Sequence, residues 1–184
     1  MVSLAMYNAC KMIVEEIEPN DRQGLRETPG RMAKSIRDLT VGYQVDIKAL
    51  FKTFEDGAKN YNEFVVVRDI PVWSLCEHHV LPFFGTATIG YIPVERVLGL
   101  SKFARVVDAF ARRLQVQERL TTQIADAIEL HLKPKTVGVV VNCRHLCMEM
   151  RGVRCGNANT ITSALRGHMM VDQACRAEFF RLVG

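Results

Sequence analysis

No stretch of this 184-residue chain approaches the ~20 consecutive apolar residues needed to cross a membrane. The N-terminus also lacks the basic stretch, apolar core and small-residue cleavage site of a secretory signal. The expected location is the cytoplasm, with no membrane partner. There is no internal repeat, no low-complexity tract and no linker. That leaves one compact unit, with room for a helical extension and long enough to bury a core. Neither sign of charge dominates. The net charge of +4 is dispersed and too weak to imply a nucleic-acid partner. It still allows a local basic pocket for a small anion. With 48% apolar and 24% charged residues, the chain has an ordinary globular composition.

What the chain does have is cysteine. Six are present: Cys10, Cys76, Cys143, Cys147, Cys155 and Cys175. In a cytoplasmic chain they suggest metal binding or catalysis before disulfides. Two short segments gather three of the six, together with three of the five histidines: Cys76-Glu77-His78-His79 and Cys143-Arg144-His145-Leu146-Cys147. Cys76 and His79, three apart, can chelate one ion from a turn. His145 and Cys147, two apart, face the same side if they lie on a strand. Thiolate and imidazole suit zinc better than magnesium or calcium. Spacing admits Cys76, His78, His79, His145 and Cys147 as ligands, with Cys143 a further possibility. It does not separate a structural site from a catalytic one with an open position. Glu77 can orient a ligand or simply sit at the surface.

Patterning predicts helices over Met1–Ile17, from an N-cap at Thr28 to about Leu39, and near Ile47–Phe51. Strand-like segments follow at Glu63–Arg68, Val72–Val80 and Gly85–Ile92. One helix is predicted from Ser101, its stripe ending at Leu114. A second runs from Gln117 to Pro134. Thr136–Val141, running on into Asn142–Met150, pairs with Thr160–Leu165, and Asp172–Leu182 is a closing helix. The class is α+β: an antiparallel sheet with helices on one face, behind an N-terminal helical region of residues 1–52.

Cys76-Glu77-His78-His79-Val80-Leu81-Pro82-Phe83-Phe84-Gly85 resembles the zinc segment of the GTP cyclohydrolase I family. Gly24-Leu25-Arg26-Glu27-Thr28-Pro29, Gly90-Tyr91-Ile92-Pro93 and Gly99-Leu100-Ser101-Lys102-Phe103-Ala104-Arg105 are also similar to it. So are Gln115-Val116-Gln117-Glu118-Arg119-Leu120-Thr121, His145-Leu146-Cys147-Met148 and Arg151-Gly152-Val153. These motifs occur in order along nearly the whole chain. The resemblance implies a tunnelling fold over residues 53–184 as the catalytic domain. It also implies a toroidal homodecamer with active sites at subunit interfaces.

The implied reaction is hydrolysis of GTP to formate and 7,8-dihydroneopterin triphosphate. Zinc-activated water attacks guanine C8; ring opening, formate release, sugar rearrangement and pterin ring closure follow. The product would feed folate, tetrahydrobiopterin or 7-deazaguanine synthesis. Residue by residue, the resemblance makes Cys76, His79 and Cys147 ligands of one catalytic Zn2+ per chain. It makes His145 the proton donor, His78 a second proton-transfer group, and Ser101 the hydroxyl of the sugar rearrangement. Glu118 and Gln117 become base contacts, and Lys102, Arg105, Arg151, Lys34 and Arg31 become triphosphate contacts. The chain departs from the pattern at Cys155-Gly156-Asn157-Ala158-Asn159, where family members often carry two lysines. It departs again at Arg144, a position that is often small or acidic.

Overall fold

The computed structural model describes residues 2–58 and 60–184. Two compact units divide the chain, Met1–Val41 and Gly42–Gly184.

The first unit contains two helices, α1 (Leu4–Ile17) and α2 (Thr28–Leu39). Ser3 caps α1, its hydroxyl accepting from the Met6 N–H. Thr28, the expected cap of α2, is instead its first helical residue. Glu27 holds the cap position without capping a helix N–H through its side chain, and Pro29 occupies the opening turn, where its missing N–H costs nothing.

In the second unit the order is β1 (Thr53–Phe54), β2 (Val65–Cys76), β3 (Pro82–Ile92), β4 (Val97–Leu98), α3 (Leu100–Ala111), β5 (Leu114–Gln115), α4 (Gln117–Leu132), β6 (Thr136–His145), α5 (Leu146–Glu149), β7 (Thr160–Gly167) and α6 (Gln173–Val183). Short 3-10 turns fill the connections, one of them at Lys48–Leu50 within the expected Ile47–Phe51 helix.

Five strands form one sheet in the order β5-β2-β3-β6-β7. The β2, β3, β6 and β7 pairings are antiparallel, as expected. The β5 pairing is parallel, Leu75 to Leu114 and Cys76 to Gln115, so the sheet is mixed. Leu114, expected on the helix from Ser101, belongs to that strand, because α3 has already ended at Ala111.

The two strand-like segments expected at Glu63–Arg68 and Val72–Val80 share one strand, β2, which ends at Cys76. Its register slips between Val67 and Ile70, and Asp69 takes a positive φ of 56°. That bulge lets one strand bend without ending. Pro71 is tolerated there because β5 reaches only Leu75 and Cys76, leaving the proline on an open edge.

Side chains alternating along the strands build a core on each face. On one face Val72, Phe83, Ile89, Val139 and Val141 meet Phe103, Val106, Leu120, Ile124 and Ile128 of α3 and α4. On the other face α6 lays Phe179 against Phe64, Ile92, Leu165 and Met169. Helices therefore cover both faces, where only one was expected. The α6 helix fits because Gly90 and Gly138 open a seat. A Cβ at Gly138 would lie 2.6 Å from the Phe179 ring, and one at Gly90 would lie 2.8 Å from it. Phe179→Ala should cost about 3–5 kcal/mol, since the ring is fully buried and the seat cannot close. Urea unfolding checks this, and a loss under about 1 kcal/mol would show that the seat collapses instead.

Candidate active site

The Cys76–His79 turn joins β2 to β3. The Cys76 N–H donates to Leu81 O at 2.9 Å, and the Val80 N–H donates to Cys76 O at 2.8 Å. Closing this turn forces Val80 to a φ of 54°, a conformation that β-branched residues avoid and that costs on the order of 1–3 kcal/mol. Pairing of β2 and β3 on either side holds it.

Cys76 Sγ lies 3.7 Å from His79 Nδ1 and 3.8 Å from His78 Nδ1. The third member comes from the end of β6. Cys147 was expected on a strand beside His145, but the strand ends at His145 and Cys147 sits in the single turn of α5. The helical turn, not strand alternation, brings its thiol round to Cys76. Among the described residues, the ligand atoms of Cys76, His79 and Cys147 lie within 4.8 Å of one another and could hold a metal ion.

The donor set fits zinc: two sulfurs and one imidazole, with a tetrahedral position to spare. Burial, then the neighbouring Cys76 sulfur, pushes the Cys147 thiol above its usual range. A cation bound beside the Cys147 sulfur would offset that shift and favour its thiolate. Cys143, the further ligand possibility, is not part of the cluster. It is buried in the core, where desolvation raises its thiol to about 12.

His145 is half-buried and lies parallel to the Phe83 ring, with centroids 4.7 Å apart. Its Nε2 is 2.8 Å from Gln117 Oε1. The Gln117 amide is oriented without ambiguity. Its Nε2 donates to the carbonyls of Val141 (3.0 Å) and Thr160 (2.8 Å), which can only accept, and it also reaches Thr162 Oγ1 at 3.2 Å. Oε1 therefore faces His145, and His145 Nε2 carries a hydrogen that it donates there. Nδ1 is left as the nitrogen that gains or loses a proton. Burial lowers the His145 pKa, while the charges of Glu118 and Glu149 oppose that shift. Gln117 was expected at the base, but the residue is 2% exposed and its amide is engaged by Val141, Thr160, Thr162 and His145.

The remaining expected site residues are spread along neighbouring elements. Ser101 and Lys102 lie in the first turn of α3, with Arg105 one turn on, and Glu118 is the second residue of α4. Arg151 follows α5, close enough for its charge to favour the Cys147 thiolate. Ser101, Arg105, Glu118 and Arg151 are exposed. Arg31 and Lys34, on α2 in the other unit, form ion pairs with Glu27 and Asp38.

A protein-family model described as GTP cyclohydrolase I matches residues 6–184. The chain belongs to the GTP cyclohydrolase I family. It is 58% identical over 165 residues to GTP cyclohydrolase 1 of Janthinobacterium sp. (strain Marseille), covering 90% of this chain and 83% of that one. It is 52% identical over 180 residues to the Chlorobaculum tepidum protein of the same name, covering 98% and 79%. The Dictyostelium discoideum GTP cyclohydrolase 1 is 49% identical over 184 residues, covering 97% and 77%. Among solved structures, the archaeosine synthase QueF-Like in the apo form is similar at a TM-score of 0.46 and 20% identity, over 56% of this chain and 93% of that one. The chain is an enzyme of the GTP cyclohydrolase I type.

Two features of the site were not anticipated: the Gln117 bracket on His145, and two arginine–carboxylate forks beside the turns that carry the cluster. Glu77 and Arg144 stood out in the sequence, but their partners did not.

Proposed function

We propose that the cluster of Cys76, His79 and Cys147 is the catalytic centre at which GTP and water become formate and 7,8-dihydroneopterin triphosphate. The observation that carries this reading is a Cys-His-Cys cluster beside an imidazole whose proton position is already set. Zinc held by the three side chains would supply Lewis acidity and the activation of water near neutral pH.

The chain's own groups do the rest. His145, tied through Nε2–H to Gln117, offers the Nδ1 proton of its imidazolium form to the guanine ring nitrogen as the purine's five-membered ring opens, and is left as the neutral Nε2–H tautomer. Gln117 is then a positioning residue for His145, not a base contact. His78, exposed beside the cluster, carries protons during ring opening and formate release. The Ser101 hydroxyl serves the sugar rearrangement. The Glu118 carboxylate accepts from guanine N1–H and the 2-amino group, which lie side by side. Lys102 and Arg105, at the N-terminus of α3, take the triphosphate with Arg151, where helix N–H groups add to the attraction. Arg31 and Lys34 are assigned to the phosphates on their motif match.

The sheet is assigned to the tunnelling fold, and the assembly to a toroidal homodecamer with active sites at subunit interfaces. Exposed Trp73, stacked on Phe84 on the open half of the sheet, supports burial against another copy. The location is assigned to the cytoplasm; no helix of the described residues is long and apolar enough to cross a membrane. The test is formate release from GTP by purified protein, with the product followed as a fluorescent pterin after oxidation. Zinc-loaded protein should turn over, and a chelator should stop it. Zinc-loaded protein that never yields a pterin would refute the assignment.

A further inference from the structure

Each of the two turns that supply the metal ligands carries a local weakness. One contains Val80 in a strained conformation. The other, α5, is four residues long, too short to be a stable helix alone. Each is gripped from outside by a two-pronged arginine–carboxylate pair.

Glu77 sits between Cys76 and His79. Its Oε2 accepts from Arg119 Nη1 at 2.5 Å and its Oε1 from Arg119 Nη2 at 3.0 Å. Arg119 stands on α4 beside fully buried Leu120, so the anchor is rigid. The Glu77 backbone N–H also donates to Gln115 O at 3.0 Å, tying the same residue to β5. Glu149 lies two residues past Cys147. Its Oε1 accepts from Arg144 Nε at 2.9 Å and its Oε2 from Arg144 Nη2 at 2.5 Å. Arg144 lies on β6 with its guanidinium 5.9 Å from the Phe84 ring centre, and Phe84 in turn stacks on Trp73. The Glu149 side chain is only 11% exposed.

We infer that Arg119 and Arg144 are positioning residues for the metal centre, each bracing one of the two ligand-bearing turns through a forked carboxylate contact. The inference rests on the metal reading of Cys76, His79 and Cys147. A fork fixes orientation as well as distance, which a single lysine nitrogen does not. Partly exposed ion pairs add little to global stability. The signature of a brace is therefore metal affinity rather than melting temperature. Because the two pairs hold different segments, their effects should multiply.

The experiment is zinc competition against a chromogenic chelator on the full-length apoprotein, with thermal melts of the same samples. Arg119→Ala and Arg144→Ala should each weaken zinc binding by about 10–100-fold, with the double variant showing roughly the product and melting midpoints changing little. Arg119→Lys and Arg144→Lys should fall between. If the alanine variants do not fold, the isosteric Glu77→Gln and Glu149→Gln carry the same expectation. Cobalt-loaded samples should also show an altered visible absorption band. If wild-type protein binds zinc and every variant binds it within about twofold, the braces are overturned and the metal site stands. If wild-type protein takes up no zinc, the metal reading itself falls.

Discussion

Cys147→Ala is expected to release the metal and end turnover. Among the described residues three side chains form the cluster, and losing one sulfur leaves two donors, fewer than catalytic zinc sites use. The loss in zinc affinity should exceed the roughly 10–100-fold that follows from disturbing residues that merely orient ligands. Formate release should fall with it. Cys143→Ala is the matched control: that thiol is buried in the core and raised to about 12, so its removal should leave zinc content near one per chain. Metal analysis after gel filtration distinguishes the two. Zinc retained by the Cys147 variant, or lost from the Cys143 variant, would move the site elsewhere.

His145→Ala should separate proton transfer from metal binding. The imidazole is bound to Gln117 and stacked on Phe83, and it is not one of the three clustered ligands. Its removal should therefore leave zinc in place while lowering turnover by about 10²–10⁴-fold, the range for losing a general acid. Steady-state formate release beside zinc content gives the answer. A variant with turnover within about tenfold of wild type would take His145 out of the proton path. A variant that loses zinc as well would make His145 part of the metal shell.

The helices were largely legible because α3, α4 and α6 pack one face on a sheet, and a helical stripe records that directly. The strands were less so. β2 looked like two pieces because Asp69 and Pro71 interrupt it, and only the pairing with β3 shows that the break is a bulge. The parallel β5 leaves no periodic trace, being two residues long. In the site, the two cysteine–histidine segments announced themselves by clustering. The employment of Gln117 did not. It depends on Val141, Thr160 and Thr162, which only the assembled sheet brings to one amide. Cys147 was assigned to the right cluster through the wrong local structure, because a strand and a single helical turn can both carry a thiol to the same neighbour. The arginine forks were hidden for a similar reason. An arginine beside a glutamate in sequence says nothing about which carboxylate it will grip.

The seat of Phe179 has an evolutionary consequence. Gly90 and Gly138 lie on adjacent strands, directly opposite one another in register, and α6 arrives last in the chain to cover both. The three positions therefore share one volume. A lineage that acquires a methyl at 90 or 138 keeps this packing only by shrinking the ring at 179. A lineage that loses the ring is free to fill the glycines. The residues nearest the C-terminus are thus tied to the middle of the sheet, and they should vary across the family as a linked trio.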